Sequence, residues 1–157
     1  MGKEIERKYL VDTATWKPLG EGIHFKQGYL NSIKERVVRV RIEGNLAKLT
    51  IKGITTGVTR AEFEYPLPVE DASILLDHLC EQPLIDKHRH KELHGGKTWE
   101  IDVFHGDNEG LVVAEIELGT EDEVIALPSW AIQEVSSDPR YFNSNLLKHP
   151  YKIWAKA

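Results

Sequence analysis

The chain has one cysteine and one methionine in 157 residues. With Cys80 alone no intrachain disulfide can form, which fits a reducing compartment and excludes a disulfide-stapled scaffold. Also missing is any apolar run of about 18 residues, so no membrane-spanning helix is expected. The opening, MGKEIERK, carries acids where a signal peptide needs an apolar stretch. A cytoplasmic protein is therefore expected. There is no basic excess: 20 Lys and Arg face 25 Asp and Glu, a net charge of −5. That balance weighs against generic nucleic-acid or anionic-membrane partners. Repeats, linkers and low-complexity tracts are lacking too, so residues 1–157 read as a single domain large enough to bury a sizeable core.

What the sequence does have is charge at strand spacing. Glu4-Ile5-Glu6-Arg7-Lys8 alternates charged and other residues, and Arg39-Val40-Arg41-Ile42 does the same. So do Lys48-Leu49-Thr50-Ile51-Lys52, Arg60-Ala61-Glu62-Phe63-Glu64, Lys87-His88-Arg89, Glu100-Ile101-Asp102 and Glu115-Ile116-Glu117. A strand sends alternate side chains to opposite faces, so each segment has one charged face and a second, largely apolar one. Basic and acidic segments of this kind suggest a closed sheet with a charged interior and an apolar exterior under helices. Such an interior suits a highly charged guest, for instance phosphate with a divalent metal. The same pattern also describes an open sheet whose charged face meets water.

Along the chain, strands are expected over 3–11, 24–31, 35–43, 46–53, 58–67, 84–94, 97–105 and 111–118. Gly44-Asn45 and His94-Gly95-Gly96 supply hairpin turns. Ala72, Leu75, Leu76 and Leu79 fall at helical spacing and predict a helix over 70–81. Residues 121–134 read as helical around a kink at Pro128. Asp138-Pro139 has the form of an N-cap and first-turn proline, and predicts a last helix. The class is α+β: eight antiparallel strands closed into a barrel, with helices packed outside.

These segments, in this order, resemble the CYTH superfamily, the triphosphate tunnel metalloenzymes. Glu4-x-Glu6-x-Lys8 matches the family's Glu-x-Glu-x-Lys signature. The likeness continues through Gln27-Gly28-Tyr29-Leu30, Arg39-x-Arg41, Lys52, Arg60-x-Glu62-x-Glu64, Lys87-x-Arg89, Glu100-x-Asp102, Glu115-x-Glu117 and Asp138-Pro139-Arg140-Tyr141-x-Asn143. One ExExK string arises easily by chance, whereas the ordered series along nearly the whole chain is specific. The compact length is similar to that of the bacterial inorganic tripolyphosphatases. The resemblance implies an eight-stranded tunnel that binds triphosphate with Mg2+ or Mn2+, and in relatives the C-terminal helix plugs one mouth.

On that basis Lys8, Arg39, Arg41, Lys52, Arg60, Lys87 and Arg89 are the expected substrate ligands, because a polyanion needs several fixed cations and Arg can grip phosphate with a planar fork. Glu4, Glu6, Glu115 and Glu117 are expected to hold the metal, with Asp102 extending the set; hard divalent cations prefer such oxygen donors. Glu62, Glu64 and Glu100 either join the acids or hold the arginines in place. Lys8 and Tyr29 match a lysine–tyrosine pair linked to triphosphate cleavage in part of the family, and are the expected catalytic residues. Hydrolysis of inorganic tripolyphosphate to pyrophosphate and phosphate is the expected activity. Two alternatives use the same site: an enzyme of an organic triphosphate (thiamine triphosphate, a nucleoside triphosphate, or a class IV adenylate cyclase), and a noncatalytic polyphosphate or nucleotide binder. His88 and His90 should face away from Lys87 and Arg89, and the four tryptophans should serve packing.

Overall fold

The computed structural model describes residues 2–154. Among these, nine strands form: β1 (Lys3–Val11), β2 (Ile23–Asn31), β3 (Arg36–Glu43), β4 (Leu46–Gly53), β5 (Thr59–Leu67), β6 (Ile85–His94), β7 (Lys97–Phe104), β8 (Val112–Glu117) and β9 (Ala131–Glu134). Their order is β5-β4-β3-β2-β6-β7-β8-β1-β9, and β1 also pairs with β5. Eight antiparallel strands therefore close into a barrel, which removes the exposed edges of an open sheet. Two hairpins depend on glycine: Gly44 starts the β3–β4 turn at φ 61°, and Gly95 and Gly96 hold φ 58° and 78° between β6 and β7. Side chains rarely adopt that region without strain.

β1 is the seam of the barrel. Lys3, Glu4 and Ile5 pair with β5, while Glu6 through Leu10 pair with β8. Beyond Ile5 the edge facing β5 is released, and β9 takes it through Tyr9, Leu10 and Val11. This corrects the expectation of a helix over 121–134. A free strand edge satisfies the backbone of Ala131–Glu134, and Pro128 rules out a regular helix there.

Helical cover is limited to one flank. Helix α1 (Val69–Ile74) runs into a wider π-helical turn over Leu75–Leu79. Ala72, Leu76 and Cys80 pack there on Val40 and Ala47. On the far side no helix among the described residues covers the barrel. Trp16 and Trp130 come from irregular segments and bury Tyr9, Trp99, Ile101 and Ile116. His88 lies on the outer face, hydrogen-bonded to His105. At its C-terminal end, the chain keeps the expected start, with Asp138 Oδ1 accepting from the Arg140 amide at 3.1 Å. It then forms only a 3-10 turn (Pro139–Tyr141) and the short helix α2 (Asn143–Leu146), because Phe142 is extended between them. Tyr141, Leu146 and Leu147 pack on Tyr29, Val37, Phe104 and Val113. An apolar plug thus occupies one end of a charged barrel. No helix among the described residues is long and apolar enough to cross a membrane.

Gly28 sits where β2 meets the segment after α1. A Cβ there would lie 2.6 Å from Leu84 Cδ2 and 2.9 Å from Cys80 Cβ. Gly28→Ala is expected to cost about 1–3 kcal/mol by overpacking. Urea unfolding should show a lower midpoint at unchanged m-value.

Candidate active site

Strict alternation carries the charged set inward from seven of the eight barrel strands. Their side chains line a cavity of about 260 Å³ that holds nine basic and eight acidic residues. All seven expected cations, Lys8, Arg39, Arg41, Lys52, Arg60, Lys87 and Arg89, are among its lining. So are Glu4, Glu6, Glu115, Glu117 and Tyr29. Asp102 stands behind the wall, 2% exposed, bonded to Lys87 Nζ at 2.8 Å and to Arg89 Nε at 2.7 Å.

Cross-strand register explains who meets whom. Arg89 faces Asp102, Lys52 faces Glu62, and Lys8 faces Glu115. Lys52 Nζ reaches Glu4 at 2.9 Å and Glu62 at 3.4 Å. Arg89 spans Asp102, Glu115 at 3.0 Å and Glu100 at 3.3 Å. Arg39 reaches Glu64 at 3.5 Å. Such pairing is required, since an unpaired buried charge is costly. Lys8 Nζ is further held by Glu115 at 3.4 Å and by the Tyr141 carbonyl at 3.2 Å, which ties β1 to the plug. Asn143 does the same for Lys87, its Oδ1 accepting at 3.0 Å.

Three lining side chains have no oppositely charged partner within 4.0 Å among the described residues: Glu6, Arg60 and the exposed Glu117. The Glu6 carboxylate makes no ion pair or hydrogen bond among the described residues. Glu6 and Glu117 are direct partners across β1 and β8, so the register gives Glu6 an acid for a neighbour. Burial first, then Glu115 and Glu4, push the Glu6 carboxyl up to about 8. Arg60 has the opposite condition: its guanidinium donates only to the Gly53 carbonyl, and no carboxylate lies within 4.0 Å among the described residues. Elsewhere the pairs settle their charges. Burial alone would raise Asp102, but Arg89 and Lys87 outweigh it and hold the carboxyl well below the usual range. Burial would raise Glu115 too, and Lys8 with Arg89 bring it down instead. Burial lowers Lys87 to about 8 against the pull of Asp102. Burial, with Arg39 and Arg89 nearby, lowers Arg41 to about 10.

Tyr29 and Lys8 share the cavity but have different partners. The Tyr29 hydroxyl accepts from Gln27 Nε2 at 3.0 Å, and Gln27 itself is fully buried. Sequence reasoning gave no role to Gln27, and it left out Glu43, Lys48 and Lys91, which also line the cavity. The last three were findable, because each continues an inward alternation already recognised at Arg41, Thr50 and Arg89. Gln27 carries no charge to mark it.

The metal candidates supply oxygen donors only, and the crowded Glu6 carboxylate has no cation of its own. That donor chemistry fits a hard divalent cation, which would relieve the repulsion. Among the described residues no three potential ligands are already gathered at ion-binding distance.

The chain is 50% identical over 152 residues to an inorganic triphosphatase of Acetivibrio thermocellus, covering 97% of each. It is 34% identical over 149 residues to an inorganic triphosphatase of Nitrosomonas europaea, covering 91% of this chain and 95% of that one. A crystal structure of an inorganic triphosphatase superposes with a TM-score of 0.64 at 31% identity, covering 92% of this chain and 97% of the other. A protein from Bacillus halodurans, at 18% identity, TM-score 0.61 and coverage of 78% and 84%, shares the fold. The CYTH domain matches residues 2–151. With that match spanning nearly all of the barrel and its plug, and with two relatives aligned over almost their full length, the chain belongs to the CYTH family.

Proposed function

We propose that the protein hydrolyses inorganic tripolyphosphate to pyrophosphate and orthophosphate inside the barrel, with Mg2+ or Mn2+ as cofactor. The observation that carries this reading is the near balance of the lining, nine basic against eight acidic side chains, with Glu6 left unneutralised. A simple anion trap would show a surplus of cations. A lining balanced in itself accepts a polyanion only with a compensating cation. The two relatives named inorganic triphosphatase support the same substrate.

In this reading Glu4, Glu6, Glu115 and Glu117 hold the metal, and Asp102 stands behind them anchoring Lys87 and Arg89. The ion supplies Lewis-acid neutralisation of charge on the phosphate oxygens. Arg39, Arg41, Lys52, Arg60, Lys87 and Arg89 surround the phosphate chain. Arg60, without a competing carboxylate, is ready for it, and so is Arg39 Nε, a buried donor with no acceptor among the described residues. Water attacks the terminal phosphorus, a new P–O bond forms, and the bridging P–O bond breaks to release pyrophosphate. Lys8 stays protonated: burial opposes its charge, but Glu115, Glu6 and Asp102 outweigh that and raise it. It stabilises the leaving oxygen, while Tyr29, its hydroxyl oxygen occupied by Gln27, turns its proton toward that oxygen. Such transfer depends on positioning and charge neutralisation. The substrate is a small molecule and the setting cytoplasmic, with no nucleic-acid or membrane partner.

The test is phosphate release from tripolyphosphate, ATP and thiamine triphosphate in parallel, with Mg2+, Mn2+ or chelator. Metal-dependent turnover of tripolyphosphate, exceeding that of both organic substrates, is expected. Preference for an organic triphosphate would transfer the site to the alternative enzyme reading, and binding without turnover of any substrate would make the protein a binder.

A further inference from the structure

β2 is the exception in the barrel wall. Its inward positions carry Phe25, Gln27 and Tyr29, all buried and none of them Asp, Glu, Lys or Arg, while each of the other seven barrel strands sends in at least two such residues. Phe25 is also the inward residue around which cations gather. Arg41 Cζ lies 4.6 Å from its ring centroid, Arg89 Cζ 4.8 Å and Lys87 Nζ 5.9 Å. They approach from both sides, Arg41 on β3 and the other two on β6, because β2 runs between those strands. Phe25 is the direct cross-strand partner of Lys87, and Arg89 is that of Ile23 next along the same face.

Three cations converging on one buried point repel one another. Each cation already has one carboxylate partner or more, Glu43 for Arg41 and Asp102 for Lys87 and Arg89, and a further carboxylate at position 25 would cancel more of the charge a phosphate needs. An aliphatic side chain would fill the space and relieve nothing. An aromatic face attracts each cation through its quadrupole, and more strongly when water is excluded, without neutralising any of them.

We propose that Phe25 is a positioning residue: its ring gathers Arg41, Lys87 and Arg89 into a cradle that stays cationic, and this cradle sets the tunnel's affinity for a polyphosphate chain. The inference rests on the reading of the tunnel as a phosphate site. It assigns Phe25 to substrate binding and leaves bond cleavage to the groups named above, so its loss should act on KM far more than on kcat.

Phe25→Leu stays apolar with a modest loss of volume and removes the π face, while Phe25→Tyr and Phe25→Trp keep the face. Each variant, checked for folding by its thermal midpoint, is measured in two ways. One is calorimetric binding of a non-hydrolysable imido analogue of tripolyphosphate in the presence of Mg2+ or Mn2+; the other is steady-state hydrolysis of tripolyphosphate with the same ion. Phe25→Leu is expected to weaken binding and raise KM about 10-fold, with kcat within about 2-fold, and the Tyr variant to recover most of the loss. Unchanged binding in a folded Phe25→Leu protein would overturn the proposal. So would a loss that follows the thermal midpoint and is shared equally by the Tyr and Trp variants, since that is the mark of packing alone. If the wild type binds the analogue without cleaving tripolyphosphate and Phe25→Leu binds the analogue more weakly, the cradle stands and the hydrolytic reading falls. A wild type that neither binds nor cleaves would remove both.

Discussion

Glu6→Gln is expected to cut tripolyphosphate turnover by about 10³-fold or more, the scale of losing a principal electrostatic element of a site, while leaving the metal-free protein more stable than wild type at pH 8. Both effects have one cause. Glu6 is a half-buried carboxylate with acids for neighbours and no cation in contact, so its proton is held up to about 8. In the unfolded chain a Glu titrates near its model value of 4.5. The folded state therefore binds the proton more tightly than the unfolded state through that window. The stability this contributes is fully present below the unfolded pKa and is lost as pH rises through about 8. The slope cannot exceed about 1.4 kcal/mol per pH unit for one proton. Thermal midpoints in chelator should fall from pH 5 to 8 for the wild type relative to Glu6→Gln. Added Mg2+ or Mn2+ should remove the difference for the wild type, because the ion supplies the missing positive charge. Normal phosphate release by folded Glu6→Gln would sink the metal assignment.

Asp102→Ala is expected to act in the opposite direction on stability, costing about 3–5 kcal/mol by leaving buried cations unpaired. Asp102 is 2% exposed and accepts from both Lys87 and Arg89. Its removal would leave Lys87 with no carboxylate within 4.0 Å among the described residues, since Asp102 is its sole acidic contact. Arg89 would keep Glu115 and Glu100. The Asp102 carboxyl is held well below its ordinary range, so its stabilisation is present above the unfolded pKa and disappears only as pH falls through the folded one. Urea unfolding at pH 7 should show the full loss, and at pH 3 the gap between wild type and variant should be smaller. An Asp102→Ala protein as stable as wild type, with metal affinity reduced, would mean that Asp102 serves the ion directly and not the cations. Two carboxylates of the same tunnel are thus expected to give stability changes of opposite sign, because one has cations as partners and the other has acids.

The barrel was legible because period-two alternation is a property of the strand itself. That Arg39 and Arg41 share one face of their strand, and Lys87 and Arg89 one face of theirs, follows from spacing, and the eight strands lie within one or two residues of their expected bounds. Ala131–Glu134 was misread for a reason local pattern cannot report. Its backbone partner is the edge of β1, more than 100 residues earlier, released where β5 turns away. Helical cover was overestimated because an apolar strand face shows that something must cover it without showing what; Trp16 and Trp130 do so here from irregular chain. Within the site, Phe25 has no signal and Gln27 enters only through the family likeness without a role, because charge is the signal and they have none.

The sequence alone determined which side chains of a strand share a face, their signs, and the family to which their order belongs, since each of these depends on residue type and on the two-residue period of a strand. Only the tertiary structure decided the pairing. Glu6 and Asp102 are indistinguishable as acids at strand spacing. The closure of the barrel sets Glu6 opposite Glu117 and Asp102 opposite Arg89. Cross-strand register is fixed by contacts between distant segments, and buried electrostatics depends on neighbours a few ångströms away, so the charge state and role of each acid are properties of the closed barrel.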